Sequence, residues 1–185
     1  MIQQILHTQA WLDVRSWRTK YSATLTPVHI SVLSVVTPLT RLLEGKYGMK
    51  LDVHVHDQCV DTIHEMEASL LEESAQERCL RRKVSLLSRG EIMFDAESVL
   101  PLHVLPVTLM TALEEGKQPL ANLLSEQGLS LSRSNLSITK IEGQGFYEGC
   151  WARRSVLRSP VGTKALVTEV FHESIWRKLH YLIQR

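Results

Sequence analysis

Between residues 51 and 57 the chain reads L-D-V-H-V-H-D, with apolar and polar positions in strict alternation. A period of two predicts a half-buried strand, with Leu51, Val53 and Val55 on one face and Asp52, His54 and His56 on the other. Two more strands are predicted over 81–87 and 92–100, joined by the turn signal Ser88-Arg89-Gly90-Glu91 and closed by Pro101. Residues 129–141 alternate again and read as a strand. The most apolar run, 165–171, follows an extended stretch from Cys150 and a turn at Ser159-Pro160-Val161-Gly162. These predict a second hairpin whose last strand is buried on both faces.

Helical signals fall between these strands. Ile2, Ile5, Leu6, Trp11, Leu12 and Trp17 recur at loosely helical spacing up to about Tyr21. Thr26-Pro27 and Thr37-Pro38 each set a capping residue before a proline, a helix-start signature, and the second predicts a helix over 38–45. Short helices are predicted over 104–115 and 119–126, ended by Gly116 and Gly128. The tail, 172–185, is amphipathic through Ile175, Trp176, Leu179, Leu182 and Ile183. Residues 61–77 are acidic, carry few turn signals and give no clear element. Hairpins with helices set between them, without strict β-α-β alternation, predict an α+β fold on an antiparallel sheet. No repeat or linker interrupts the pattern, so residues 1–185 read as one domain.

Composition narrows the function classes. In 185 residues, 44% are hydrophobic and 22% charged, the balance of a globular protein with a sizeable core. A formal net charge of +1 gives neither a nucleic-acid footprint nor a polybasic membrane patch. Cys59, Cys79 and Cys150 are widely spaced, odd in number and form no C-x-x-C, which argues against a disulfide framework and for a reducing compartment. The N-terminus has no basic lead or long apolar run, and the stretch 30–36 is too short to span a bilayer. The expectation is a soluble cytoplasmic protein.

Few motifs carry chemistry. His54 and His56 share a strand face beside Asp57 and Cys59, with His64 farther along, but no complete ligand set stands out and a solvated strand face explains them. Gly143-x-Gly145 lacks the third glycine of a dinucleotide fingerprint. Cys150 has no histidine at motif spacing and reads as a buried thiol. No metal and no cofactor is expected. Two residues stand out instead. Arg82 alternates away from Arg81 and Lys83 and toward the side of Val84 and Leu86, so it points inward, and an inward guanidinium needs an anion. Its partner is Glu169, Glu97 or a ligand. Glu169 interrupts an apolar strand, where a carboxylate is costly unless paired. It pairs with Arg153, Arg154 or Arg158, or it faces a ligand.

Four segments, in order, resemble the chorismate pyruvate-lyase family. They are L-T-P…T-P-L-T-R-L-L-E (25–44), R-K-V-S-L-L-S-R-G-E…A-E-S-V-L-P (82–101), E-E-G-K-Q-P-L-A-N-L-L (114–124) and W-A-R-R-S-V-L-R…A-L-V-T-E-V-F (151–171). Within the family, the A-E-S-V-L-P and L-T-P segments look more like the divergent cyanobacterial and plastid branch than the enterobacterial one. The resemblance spans about 25–171 and implies a single α+β domain, a curved antiparallel sheet with helices covering an enclosed ligand site. It implies conversion of chorismate to 4-hydroxybenzoate and pyruvate without a cofactor. By residue, it implies that Arg82 binds the ring carboxylate and that Leu39 and Leu120 meet the ligand through backbone N–H groups and apolar contact. It also implies that Glu169 meets the ring hydroxyl, and it includes Arg154 in the substrate-binding strand motif. This chain departs from the family at Val36-Thr37-Pro38, where Asp-Gly-Ser/Thr is usual, and at Glu97, where the enterobacterial branch has arginine. The competing expectation is a non-catalytic organic-acid-binding domain of the same fold, as in effector domains of bacterial transcription regulators. Those regulators carry an N-terminal winged helix, for which the residues before Leu25 are too few.

Overall fold

The computed structural model describes residues 2, 9–115, 119–126, 132–143 and 145–184. Seven strands form one antiparallel sheet in the order β1-β5-β6-β7-β4-β3-β2. They are β1 (Leu12–Asp13), β2 (Asp52–Thr62), β3 (Arg78–Ser88), β4 (Glu91–Pro101), β5 (Ser132–Lys140), β6 (Trp151–Arg158) and β7 (Lys164–Phe171). The helices are α1 (Val14–Lys20), α2 (Pro27–Leu33), α3 (Leu39–Tyr47), α4 (Glu65–Leu71), α5 (Val107–Glu115), α6 (Leu120–Glu126) and α7 (Glu173–Ile183). The α+β fold with an antiparallel sheet is the one the hairpin pattern predicts.

Alternation sorts the central strands into two faces. On one face Val84, Leu86, Phe94, Ala96 and Phe171 join Trp17, Leu33, Leu43, Ile175 and Leu179 in a core beneath α1, α2, α3 and α7. On the same face a second core gathers Leu80, Leu100, Leu157 and Val167 beneath α5 and α6, through Leu109, Leu113, Leu120 and Leu124. The opposite face carries Cys79, Val99, Val156 and Leu166 under α4, through Ala68 and Leu71. Burying such side chains contributes on the order of 1.5–3 kcal/mol each, which is what holds the helices to the sheet. Register shifts interrupt β2 at Val55/Asp57, β3 at Leu86/Leu87 and β5 at Ser134/Ser137. Bulges of this kind bend the strands that carry them.

Several boundaries differ from the sequence pattern. The β3–β4 turn lies where predicted, with Arg89 at φ 53° and Gly90 at φ 79°, the backbone of a tight hairpin. The run 61–77 supplies the end of β2 and then α4, whose first-turn Glu67 accepts from the backbone N–H of its N-cap, His64. Thr26 caps α2 as expected, its hydroxyl accepting from the His29 N–H while His29 Nδ1 accepts from the Thr26 N–H. Thr37 does not cap α3. That helix begins one residue later, with Pro38 at the N-cap and no side-chain cap. The helix expected from Val104 begins at Val107, because Leu102–Val104 form a 3-10 turn before Pro106. The predicted helix stops at Gly116 and Gly128, and residues 129–131 of the predicted fifth strand, lie outside the described residues.

Candidate ligand-binding site

The two cores on the helix-covered face meet at a narrow seam, and a cavity lies there. Its walls come from both: Leu39, Val84, Leu86, Phe94 and Ala96 on one side, Leu120, Leu157 and Val167 on the other. Alternation brings Arg82 into it from β3, between Leu80 and Val84, so the inward arginine of the sequence pattern does point to the core. Arg82 is only 1% exposed, and burial pushes its pKa down from the usual arginine value. Glu169 reaches the same cavity from β7, and Leu39 and Leu120 close it as the first residues of α3 and α6. Four of the five residues singled out from sequence therefore line one enclosed space.

The fifth does not. Arg154 occupies the other face of β6, where its Nε donates to Ser137 Oγ at 3.2 Å and its guanidinium lies 4.3 Å from the Trp11 ring centroid. Strand parity decides this. Arg153 is the register partner of Glu169, while Arg154 is opposite Thr168. Arg153 is fully buried and holds both carboxylate oxygens of Glu169, through Nε at 2.5 Å and Nη2 at 3.2 Å. Its Nη1 donates to the Val32 and Val35 carbonyls at 3.0 and 3.2 Å, at the end of α2 and just beyond it. Of the partners the sequence offered for Glu169 it is Arg153 that forms the ion pair, and the paired carboxylate also lines the cavity. Burial alone would push the Glu169 pKa up, but Arg153 and then Arg133 outweigh it, and the carboxyl lies below its usual value.

Arg133 is the charged residue that the sequence pattern missed. It enters from β5 on the helix-covered face, opposite Leu157, and lines the cavity. Its Nη1 donates to Ser155 Oγ, while its Nε is buried with no hydrogen-bond partner. Burial pushes its pKa down to about 10, against an opposing pull from Glu169. Simple alternation cannot find it. The β5 bulge, with Asn135 at φ 53°, puts Arg133 and Ile138 on the same face although they are five residues apart.

The cavity is closed over by helices. Its volume is about 50 Å³, against roughly 300–1,000 Å³ for pockets that enclose organic ligands. A substituted ring requires this space to widen, and Leu39 and Thr40 of α3 and Leu120 of α6 are among its walls. A hydrogen bond joins the two helices, from Thr40 Oγ1 to Asn122 Oδ1 at 3.3 Å. The uncapped start of α3 leaves its first backbone N–H groups without a side-chain acceptor, beside residues that line the cavity.

The other sequence candidates lie elsewhere. Glu97 faces away from the cavity, within a buried cluster in which Arg81 meets Glu97 at 3.0 Å, Glu67 at 2.8 Å and Asp61 at 2.8 Å. So Glu97 is not the partner of Arg82, and its difference from the enterobacterial arginine falls outside the cavity. His56 Nε2 lies 2.6 Å from Ser85 Oγ on the far face, and its ring lies 4.7 Å from that of His54. Among the described residues no group of three or more His, Cys, Asp and Glu side chains could hold a metal ion. Burial pushes the Cys150 thiol up, away from the nucleophilic thiolate.

An antiparallel sheet with α1, α2, α3, α5, α6 and α7 over one face and a cavity at the seam between two cores defines this class of α+β domain. Solved structures share the fold. The effector domain of PhnF from Mycobacterium smegmatis superposes with a TM-score of 0.57 at 11% identity, covering 75% of this chain and 90% of that one. PhnF itself from the same organism gives a TM-score of 0.57 at 9% identity, covering 94% of this chain and 93% of that one. A GntR-family transcriptional regulator from Bacillus cereus gives 0.52 at 12% identity, over 67% and 92%. At such identities the likeness is one of fold alone. No curated protein matches the sequence. A model of the chorismate lyase family, however, matches residues 12–181. The chain belongs to the chorismate lyase family. Among the described residues no helix is long and apolar enough to cross a membrane.

Proposed function

We propose that this protein is a chorismate pyruvate-lyase, releasing 4-hydroxybenzoate and pyruvate from chorismate in the seam cavity. The observation that carries the reading is the convergence of Arg82, Glu169, Leu39 and Leu120 on one enclosed site in a chain of this family. Chorismate loses its C4 hydrogen and its C3 enolpyruvyl ether, and the ring becomes aromatic. The reaction is downhill and needs neither redox chemistry nor a metal, so the protein's task is to hold a reactive conformer and exclude water.

The residues divide that task. Arg82 anchors the ring carboxylate through its planar fork. Glu169 accepts a hydrogen bond from the C4 hydroxyl and stabilises positive charge that develops there. With both oxygens held by Arg153 and its pKa depressed, Glu169 is a weak base. It is also the only carboxylate among the described cavity-lining residues. The C4 proton is then taken within the substrate. The enolpyruvyl methylene carbon accepts it as the C3–O bond breaks, which yields pyruvate directly and leaves the aromatic ring. Backbone N–H groups at the start of α3 supply further donors to the ligand.

The second reading is a binding domain without turnover, favoured by the regulatory neighbours of the fold. Incubation with chorismate separates the two. Stoichiometric pyruvate and 4-hydroxybenzoate, formed with and without a chelator, support the lyase. A rise in melting temperature with no pyruvate supports the binder.

A further inference from the structure

We propose that a second cavity, separate from the seam, binds an aromatic zwitterion of the class of the aromatic α-amino acids. The inference does not rest on the lyase reading.

Strand parity places this cavity. Trp151 of β6 and Phe171 of β7 are register partners, as are Arg153 and Glu169, and each lies two residues from its counterpart on the same face. The aromatic pair is therefore the next step along the sheet from the ion pair, with the Arg153 guanidinium 5.8 Å from the Phe171 ring centroid. The cavity at that step is bounded by β6, β7, α2 and α7. Its volume is about 430 Å³, within the roughly 300–1,000 Å³ of pockets that enclose organic ligands. Among the described residues it has no wall in common with the seam cavity.

Its inner walls are rings. His29 of α2 and Trp176 of α7 lie with centroids 4.5 Å apart, Trp176 lies 5.6 Å from Phe171, and His29 lies 6.3 Å from Trp151. All three pairs are tilted. A wall of tilted rings accepts a further ring edge to face or offset. Burial lowers the His29 pKa, so at pH 7 it serves as a neutral ring.

The rim carries charges of both signs. Glu148 and Glu173 are exposed carboxylates at the mouth of the cavity. Lys140 is exposed too, and its ammonium lies over the Trp151 ring, 5.6 Å from the centroid. Glu173 and Lys140 are both close enough to His29 to shift its proton equilibrium, in opposite directions. Exposed charges of this kind are ordinary on a protein surface. Set around a ring-lined cavity, they select a ligand. A ring gains from burial against the walls, an ammonium is met by the carboxylates, and a carboxylate is met by Lys140. A ligand with a ring at one end and both ionic groups at the other satisfies all three. A plain aromatic acid would bring its carboxylate toward Glu148 and Glu173, and a plain aromatic amine would bring its cation toward Lys140.

The test titrates the full chain with L-phenylalanine, 2-phenylethylamine and 3-phenylpropionate. These probes share a ring and a chain length and differ in charge. Binding is followed by calorimetry and by tryptophan fluorescence, since Trp151 and Trp176 line the cavity. The wild type is expected to bind L-phenylalanine about fivefold or more tightly than either other probe. Glu148→Gln combined with Glu173→Gln should weaken phenylalanine and phenylethylamine by about fivefold and leave phenylpropionate no weaker. Lys140→Gln should weaken phenylalanine and phenylpropionate and leave phenylethylamine no weaker. The substituted side chains are exposed, so the core is kept, and the comparison of probes on the wild type needs no variant. No saturable binding up to about 10 mM phenylalanine overturns the site. So does an affinity for phenylalanine no higher than for the single-charge probes, or an unchanged phenylalanine affinity in either variant.

Discussion

At the residue scale, the central unit is the Arg153–Glu169 pair, which belongs at once to the cavity and to the path of the chain after α2. Removing one member of a buried ion pair leaves the other uncompensated, at a cost of roughly 3–5 kcal/mol. Arg153→Ala is therefore expected to lower unfolding free energy by that order, read by chemical denaturation, since it also frees the Val32 and Val35 carbonyls. Glu169→Gln keeps the shape and one acceptor oxygen. In the lyase reading it should lower kcat more than it changes 4-hydroxybenzoate affinity, because the charge is used chiefly as the reaction proceeds. Undiminished kcat in a folded Glu169→Gln variant would remove this residue from the mechanism. Arg82 and Glu169 were legible because each broke a pattern, a charge at a core position in an alternating or apolar strand. Arg153 and Arg154 were not separable that way. Two adjacent arginines in a strand buried on both sides look alike until the register with β7 is known.

At the element scale, α2 carries the chain into the cover and depends on a reciprocal cap at Thr26 and His29. His29 also stacks on Trp176, with ring centroids 4.5 Å apart. Burial lowers its pKa, with Glu173 opposing and Lys140 assisting. The unfolded chain therefore takes up the proton first as pH falls. Stability contributed by neutral His29 is present above about pH 6.5 and declines below it, toward the depressed folded value. The melting-temperature difference between wild type and His29→Gln should thus shrink between pH 7.5 and 5.5. A constant difference would show that His29 titrates alike in both states. Helix starts were half legible. Thr-Pro marks both α2 and α3 in the sequence, yet only the first threonine caps, since α3 starts at Leu39 with Pro38 in the capping place. Strands were legible as far as alternation lasts. Each bulge resets parity, which is why Arg133 could be given a strand but not a face.

At the scale of the whole molecule, the sheet separates two charged layers. Among the described residues, Arg82, Arg133 and Glu169 line the cavity on one face, and on the other Arg81 gathers Asp61, Glu67 and Glu97. Arg81→Met leaves three carboxylates, two of them fully buried, without their cation, and should destabilise the protein at neutral pH by several kcal/mol. That loss is read from the denaturation midpoints of variant and wild type at pH 7. Such long-range balance cannot be read along the chain. It depends on which strands become neighbours, and the order β5-β6-β7-β4-β3 unites residues 133, 153, 169 and 82 from distant segments.

The hydrogen bond between Thr40 and Asn122 has a kinetic consequence. In the lyase reading, a cavity so small has to widen once to admit each substrate and again to let each aromatic product out. Turnover would then be set by the pace of that opening. The first turnover should release pyruvate in a rapid burst, about one equivalent per site, before a slower steady rate set by departure of the ring. Asn122→Ala removes the latch without touching Arg82. It should raise the steady rate and weaken 4-hydroxybenzoate inhibition.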